Sequence, residues 1–463
     1  IIGFKDIIKE GIFMHNKLTW KENMYIGSML FGLFFGAGNL IFPIHLGQAS
    51  GPNVILANIG FLVTAIGLPF LGVIAAGFSQ KKDIFAISMK VNRHYAYIFT
   101  ITLYLVIGPI YALPRLASTS FEVGLSPFIS QSLYKPFLFI FSLLFFILTW
   151  VFSRNTAKIL EYIGKILNPI FVFLLSIILT LSFLQPMGTI TSGSISNEYK
   201  QTPFFKGFVD GYNTLDALAA LAFGMIIVKT IKDMGISEPL NITRETIKSG
   251  AISMVLMALI YSLLAIIGSM SLGEFEPHEN GGITLTLIIK YYIGEYGMIF
   301  LAVIITIACL KTAIGLNASF SETFSNLFPK FNYIFFTTLS CIVSFLISNV
   351  GLTYIIKIST PILLLLYPLA IVLILLEIIN FKFFCSKIVY NSTILFTLLA
   401  AVIDAIKHCP PFISDTNLFE SITSVFEKYI PLSSIGMGWI PLSIIGFIFG
   451  VILRKMLNNY NYR

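Results

Sequence analysis

The chain has 463 residues, 56% of them hydrophobic and only 11% charged, with a mean hydropathy of +0.88 and a formal net charge of +8. Soluble proteins carry about 25% charged residues, and a soluble domain has too little interior to hide this much apolar surface. A cytosolic enzyme, a disordered chain and a disulfide scaffold are excluded. A polytopic membrane protein remains, and its long continuous apolar runs select helices over the short alternating strands of a lipid-spanning barrel.

Residues 1–22 read as a cytoplasmic segment, with 1–13 as an extension upstream of a start at Met14 and without a cleavable signal. Twelve spans follow, at 23–48, 53–79, 95–121, 135–152, 164–184, 204–231, 246–272, 294–328, 331–349, 352–378, 388–406 and 435–456. They group into one transmembrane repeat at 23–184, a second at 204–378, and two further helices at 388–456 before a tail at 457–463. Of the 30 Lys and Arg residues, 21 fall on the side that holds both termini, 6 on the opposite side and 3 within spans. Both termini are therefore expected in the cytoplasm. The basic excess is topological, and no nucleic-acid partner is expected. Cys309, Cys341, Cys385 and Cys409 lack metal-ligand spacing, so neither a zinc site nor a structural disulfide is expected.

Two spans are interrupted. The first contains Gly32, Gly36, Gly38, Asn39 and Pro43 within twelve residues, too many breakers for a plain helix. The sixth runs from Gly207 through Asp210, Gly211, Asn213 and Asp216 to Gly224. Asp216 lies roughly 18 Å from the outer end at helical rise, near mid-membrane. A carboxylate at that depth is a functional candidate or a hydrogen-bonded structural residue. Irregular backbone is tolerated in hydrocarbon only where protein buries it or a cavity adjoins it. Interruptions five spans apart indicate an inverted repeat with a binding site between its halves. That arrangement favours a secondary transporter over a receptor, and the chain shows no catalytic motif such as H-E-x-x-H or G-x-S-x-G.

Several motifs agree on one family. They are Leu30 to Pro43, Gly108 to Arg115, Gly211 to Gly224, Thr312 to Leu316, Ser348 to Gly351 and Gly436 to Trp439. On these the chain resembles the bacterial branched-chain amino acid:cation symporters (the BrnQ or LIVCS family) over nearly its whole length. The resemblance implies an all-α fold of the LeuT type: a 5+5 inverted repeat of ten helices plus two at the C-terminus. It implies import of leucine, isoleucine or valine across the bacterial cell membrane, with no cofactor beyond a coupling sodium ion or proton and no obligate protein partner. Carried over to this sequence, Gly36, Ala37, Gly38 and Asn39 would receive the substrate carboxylate. Ala219, Ala220 and Phe223 would form the facing unwound segment, and Asp216 a second partner for the ammonium. Tyr104 and Gly108 would stand in the pocket wall.

The same resemblance implies a sodium site made from the carbonyls of Gly32 and Phe35 and from an A-x-x-[ST]-[ST] stretch on span eight. Here that stretch reads Ala308, Cys309, Leu310, Lys311, Thr312, with a lysine in place of the first hydroxyl. Lys311 is expected either to stand where sodium would bind, there carrying a proton through the cycle or serving as a fixed charge, or to snorkel toward the cytoplasm. Arg115 reads as a snorkelling anchor at the outer end of span three or as a gate, and His45 as a neighbour of the outer vestibule. Two other readings stay open at this level: a carrier of another small apolar amino acid, and a sensor that binds without transporting.

Overall fold

A computed structural model describes residues 17–460 apart from 37, 80–83, 155–167, 191–192, 194, 279, 384 and 410–415. The expectations for residues 1–13, for Ala37 and for the first residues of span five therefore lie outside the described residues. All regular structure among the described residues is helical. Helices of eight residues or more are numbered in chain order. The first five are α1 (Trp20–Phe34), α2 (Gly38–Ser50), α3 (Val54–Leu62), α4 (Leu68–Ser79) and α5 (Arg93–Leu105). Then come α6 (Ala112–Gly124), α7 (Tyr134–Ser153), α8 (Asn168–Leu184), α9 (Pro203–Asp210) and α10 (Asp216–Asp233). The long α11 (Pro239–Met270) precedes α12 (Gly281–Ile293), α13 (Glu295–Leu327), α14 (Tyr333–Ser348) and α15 (Leu352–Lys382). The chain closes with α16 (Lys387–Lys407), α17 (Asn417–Tyr429) and α18 (Trp439–Tyr460).

Over the described residues, each of the twelve expected spans falls mainly on helix, with breaks in the first and sixth. By length and apolarity alone, eight helical stretches are fit to cross a membrane, or nine if the bent pair α9–α10 is one span. The helices α8 and α14 are apolar but shorter. Two helices lie between the expected spans. One is α12, which packs on α2 and α13. The other is α17, which packs on α16. Neither carries a run of roughly 20 apolar residues, which is why hydropathy passes over them.

Small residues set how the layers meet. A methyl group on Gly47 would stand 2.0 Å from the Ala265 carbonyl oxygen, and one on Gly268 2.2 Å from that of Ile44, so α2 and α11 touch backbone to backbone. Gly60 and Gly207 do the same for α3 and α9, at 1.9 Å and 2.0 Å from the carbonyl oxygens of Phe204 and Ala57. Without water to drive association, close van der Waals contact of this kind is what holds helices together in lipid. It brings both broken helices, α1–α2 and α9–α10, against α11 and α13 in the middle of the bundle.

Candidate binding site

The first break falls at Phe35, whose backbone is extended (φ −76°, ψ 92°), and α2 restarts at Gly38. The second falls at a 3₁₀ turn, Gly211–Thr214, followed by Leu215 in the left-handed region (φ 67°). The two halves of that span meet at 49°. A non-glycine residue at positive φ is held there only when its surroundings over-determine it. Here a neighbouring helix supplies the support. Thr64 stands in a π-helical turn between α3 and α4 and donates to the Phe208 carbonyl at 2.7 Å, satisfying a group the break would leave unpaired.

Three side chains join the breaks. The Asp216 carboxylate accepts from Asn39 Nδ2 at 2.7 Å and from the Tyr261 hydroxyl at 2.7 Å, through the same oxygen. Asn39 Nδ2 also donates to the Tyr261 hydroxyl, while its Oδ1 accepts from the Gly36 amide at 2.9 Å. Asn39, Asp216 and Tyr261 are all at least nine-tenths buried. Asp216 also begins α10, where the positive end of the helix favours a negative charge.

Beside this junction is a cavity of about 30 Å³. Its polar edge includes Gly36, Gly38, Asn39, Arg115, Asp216 and Thr312. Its apolar wall includes Phe34, Ile107, Leu116, Ala219, Phe223 and Leu316. Charge is divided across it. Arg115 stands at the start of α2, its Nη2 only 3.3 Å from where a methyl group on Gly38 would lie, whereas Asp216 is the carboxylate of the other break.

A second, larger cavity of about 580 Å³ shares Gly38 and Arg115 with the first and opens toward Ser196–Tyr199 and Pro277–His278. His45 lines this vestibule, as do Glu198, Lys206 and Asp210. Lys206 bridges Glu198 at 2.8 Å and Asp210 at 2.9 Å. The hydrogen bond from Lys206 holds the exposed Glu198 carboxyl below its ordinary range. On the opposite side, Asn23 of α1 donates to Glu245 of α11 at 2.7 Å, and Lys90 pairs with Glu377 at 2.6 Å.

Several expected site residues stand elsewhere. Ala219, Ala220 and Phe223 are inside α10, not in the unwound segment, so their carbonyls belong to a helix. The unwound backbone is Gly211–Leu215, four residues earlier. Ala219 and Phe223 face the cavity with their side chains, but Ala220 packs against Gly72 of α4. Tyr104 and Gly108 do not line the cavity. Gly108 is the kink between α5 and α6 (φ −110°, ψ −124°) and sits against Phe320. Its neighbours Ile107 and Ala112 supply the wall instead.

The buried cations also depart from expectation. Arg115 does not snorkel. It is 6% exposed and donates to the freed Asn213 carbonyl at 2.7 Å and to the Tyr111 hydroxyl at 2.8 Å, with Tyr111 and Phe42 rings beside it. Lys311 does not snorkel either, being fully buried. Its Nζ lies 4.0 Å from the centroid of Phe171, with Phe31 and Phe35 at 5.4 Å and 5.9 Å. It donates to Asn168 Oδ1 at 3.3 Å, and Asn168 in turn donates to Ser28. Its neighbour Thr312 points the other way, 3.2 Å from the site of a methyl on Gly36, with its buried hydroxyl bonded to nothing. The expected cation residues thus split between two faces of α13: Lys311 faces Phe35, and Thr312 faces the break at Gly36. Ala308 and Gly32 are buried nearby in sequence on α13 and α1.

Comparison with known proteins gives one consistent picture. The family described as branched-chain amino acid transport protein matches residues 19–457. The branched-chain amino acid permease BrnQ of Lactobacillus delbrueckii subsp. lactis is 40% identical over 448 residues, covering 96% of this chain and all of the permease. BrnQ of Bacillus subtilis (strain 168) is 40% identical over 95% of this chain and 98% of its own length. The branched-chain amino acid transport system 3 carrier protein of Pseudomonas aeruginosa is 36% identical, over 93% of this chain and 95% of the carrier. Among solved structures, Mhp1, a nucleobase-cation-symport-1 family transporter with bromovinylhydantoin bound, superposes with a TM-score of 0.60. It is 12% identical, over 95% of this chain and 93% of Mhp1. MhsT in complex with L-phenylalanine gives a TM-score of 0.53 at 12% identity, over 95% and 99%. At that identity the likeness shows the fold alone: an all-helical LeuT-type bundle with two helices appended.

The junction makes a stability prediction. Tyr261→Phe keeps the ring that packs on Phe35 and Phe61 but removes a donor to a buried carboxylate. A hydrogen bond to a charged group contributes about 1.5–3 kcal/mol. The thermal midpoint of purified protein should fall by a few degrees, and an unchanged midpoint would show that Tyr261 does not support the junction.

Proposed function

Because the chain belongs to the branched-chain amino acid transport protein family, we propose that it is a secondary active importer of leucine, isoleucine and valine that works by alternating access. It is a multi-pass membrane protein of a transporter family. The observation that carries the substrate reading is the division of charge across one apolar cavity. Arg115 and the first-turn amides of α2 favour a carboxylate at Gly38. Asp216 favours an ammonium. Between them Phe34, Ile107, Leu116, Phe223 and Leu316 offer a wall for a branched aliphatic side chain. An α-amino acid zwitterion with such a side chain matches all three.

The small cavity of about 30 Å³ has room for little more than a water molecule. Loading leucine requires it to widen, and Arg115, with Gly38, lines both this cavity and the vestibule. Parting the Arg115–Asn213 bond would join the two spaces. The bonds on the Asn23 and Lys90 side would then open in the following half-cycle. We place that side, and both termini, in the cytoplasm of a bacterial cell, from the distribution of basic residues. We assign residues 23–184 and 204–378 to the two inverted repeats.

Coupling turns on Lys311. Its ammonium has an aromatic face at 4.0 Å and an amide oxygen at 3.3 Å, partners that suit a fixed positive charge. A sodium ion beside it would meet repulsion of about 4 kcal/mol at 4 Å for an effective dielectric near 20. Lys311 therefore stands in for the sodium that the family resemblance implies at the contact of α1 with α13.

Three outcomes test these readings. Purified protein in proteoliposomes should take up labelled leucine, and Asp216→Asn should weaken leucine binding about ten- to a hundredfold through loss of a charge-assisted bond. An affinity equal to wild type would remove Asp216 from the substrate. Uptake should persist when choline replaces sodium, and Lys311→Thr should make it sodium-dependent. Strong sodium dependence in the unmodified protein would overturn the lysine reading. A cysteine placed at Lys200 or His278 should react with an impermeant reagent on intact cells. Labelling only after permeabilisation would invert the topology.

A further inference from the structure

The middle of α13 carries a hydroxyl that the fold leaves unspent. Thr312 is 7% exposed, and its Oγ1 is buried and bonded to nothing. A hydroxyl removed from water without a partner is costly. A threonine inside a helix has a ready remedy, because its hydroxyl can donate to the carbonyl one turn back. Thr149 of α7 does so at 2.9 Å, Thr246 of α11 at 2.8 Å, and Thr393 and Thr397 of α16 at 2.7 Å each. On α13 itself, Ser321 bonds the Asn317 carbonyl at 2.7 Å. Thr312 forgoes this bond. It turns its hydroxyl toward the break in the first span, 3.2 Å from where a methyl group on Gly36 would lie.

That direction leads into the small cavity beside the junction. Among the described residues, Thr312 carries the only buried, unpartnered hydroxyl that borders either of the two cavities. The other polar side chains at the edge of the small cavity are already engaged. Asn39 donates to Asp216 and accepts from the Gly36 amide. Thr214 donates to the Gly211 carbonyl at 3.0 Å. Arg115 commits Nη1 to Tyr111 and Asn213 and points Nη2 toward Gly38. Lys311, the preceding residue, is turned away to Phe171 and Asn168 and does not compete. Gly36 and Gly38 are two residues apart, at most about 7 Å of extended chain. Thr312 and Arg115 therefore flank one short segment, at the positive start of α2.

We propose that Thr312 is a substrate contact, whose hydroxyl donates to the carboxylate of the bound amino acid opposite Arg115. The proposal rests on the importer reading and deepens it. Beside a guanidinium and a helix N-terminus, an anion is the favoured partner for the hydroxyl, while the ammonium end of the substrate belongs with Asp216. Donation to a charged acceptor is stronger than donation between neutral groups. The contact also discriminates. A ligand without a carboxylate leaves the hydroxyl unpaired in a dry site and forfeits the bond with no compensation. Thr312 thereby favours amino acids over amines of the same apolar shape. The free energy lost by holding a dry hydroxyl in the fold is recovered when substrate binds. This places Thr312 with the substrate, not in the cation site that the family resemblance implies.

Leucine binding to the purified protein tests the contact. Thr312→Val keeps the shape of the side chain and removes the hydroxyl. Its affinity for leucine should fall about tenfold or more, the loss expected for a hydrogen bond to a charged group. Thr312→Ser should restore most of that affinity. The thermal midpoint of ligand-free Thr312→Val should stay level or rise, since no bond within the protein is lost. The loss of affinity should be the same in sodium and in choline buffer. At saturating leucine labelled with carbon-13 in its carboxyl group, the infrared carboxylate band should shift between wild type and Thr312→Val. The proposal is overturned by an unchanged affinity, by a serine variant no better than valine, or by a ligand-free midpoint several degrees lower. It is equally overturned by a loss confined to sodium buffer, which would make the hydroxyl an ion ligand, or by a carboxylate band indifferent to the substitution. Thr312→Ala gives the same readings if the valine variant does not fold. A wild-type protein that binds no leucine would overturn the importer reading, and this proposal with it.

Discussion

Two helices of this membrane protein are broken partway along, and the fold depends on how the ends are tied. The tie is the Asp216 carboxylate, shared by Asn39 at the restart of α2 and Tyr261 on α11. In hydrocarbon a free backbone or carboxylate group has no water to turn to. The breaks therefore persist only while each exposed group finds a protein partner. Thr64 supplies one for the Phe208 carbonyl, Arg115 one for Asn213, and Asn39 one for the Gly36 amide. Loss of any of these costs more here than on a soluble surface, because the group left behind stays dry.

The same constraint explains why the buried charges differ in character. Arg115 has a flat guanidinium, which suits two acceptors and two aromatic faces together. Lys311 has a point charge and is met by the Phe171 ring and one amide oxygen. Asp216 is met by two donors at once. Asp404 has none, although it is as deeply buried as the others. Three of the four thus find partners that the fold brings to them.

Much of this was legible in the sequence. Long apolar runs announced the spans, since backbone satisfaction in lipid leaves helices almost no competitor. The clusters of Gly, Asn and Asp announced both breaks. The interrupted stretch Gly207–Gly224 contains the second break, but the family resemblance puts the unwound segment at Ala219–Phe223, four residues past its end. The sequence shows small residues from Gly211 to Gly224, and only the packed structure puts Leu215, not Ala219, at the left-handed turn. Thr64 and the Gly211 backbone meet there across two helices, a contact with no local signal.

What the sequence by itself determined is whatever depends on the solvent and on neighbours along the chain: membrane class, helical content, the interrupted spans and the family. Tertiary structure decided whatever depends on partners far apart in the chain. It sent Arg115 inward to the Asn213 carbonyl instead of outward to the interface, and it buried Lys311 beneath Phe171. It turned Lys311 and Thr312 to different faces of one helix and stacked Tyr212 on Tyr367. The physical reason is common to all of them. Hydropathy registers the cost of removing a side chain from water, whereas a buried charge is tolerated or not according to which donors, acceptors and rings the rest of the fold brings to it.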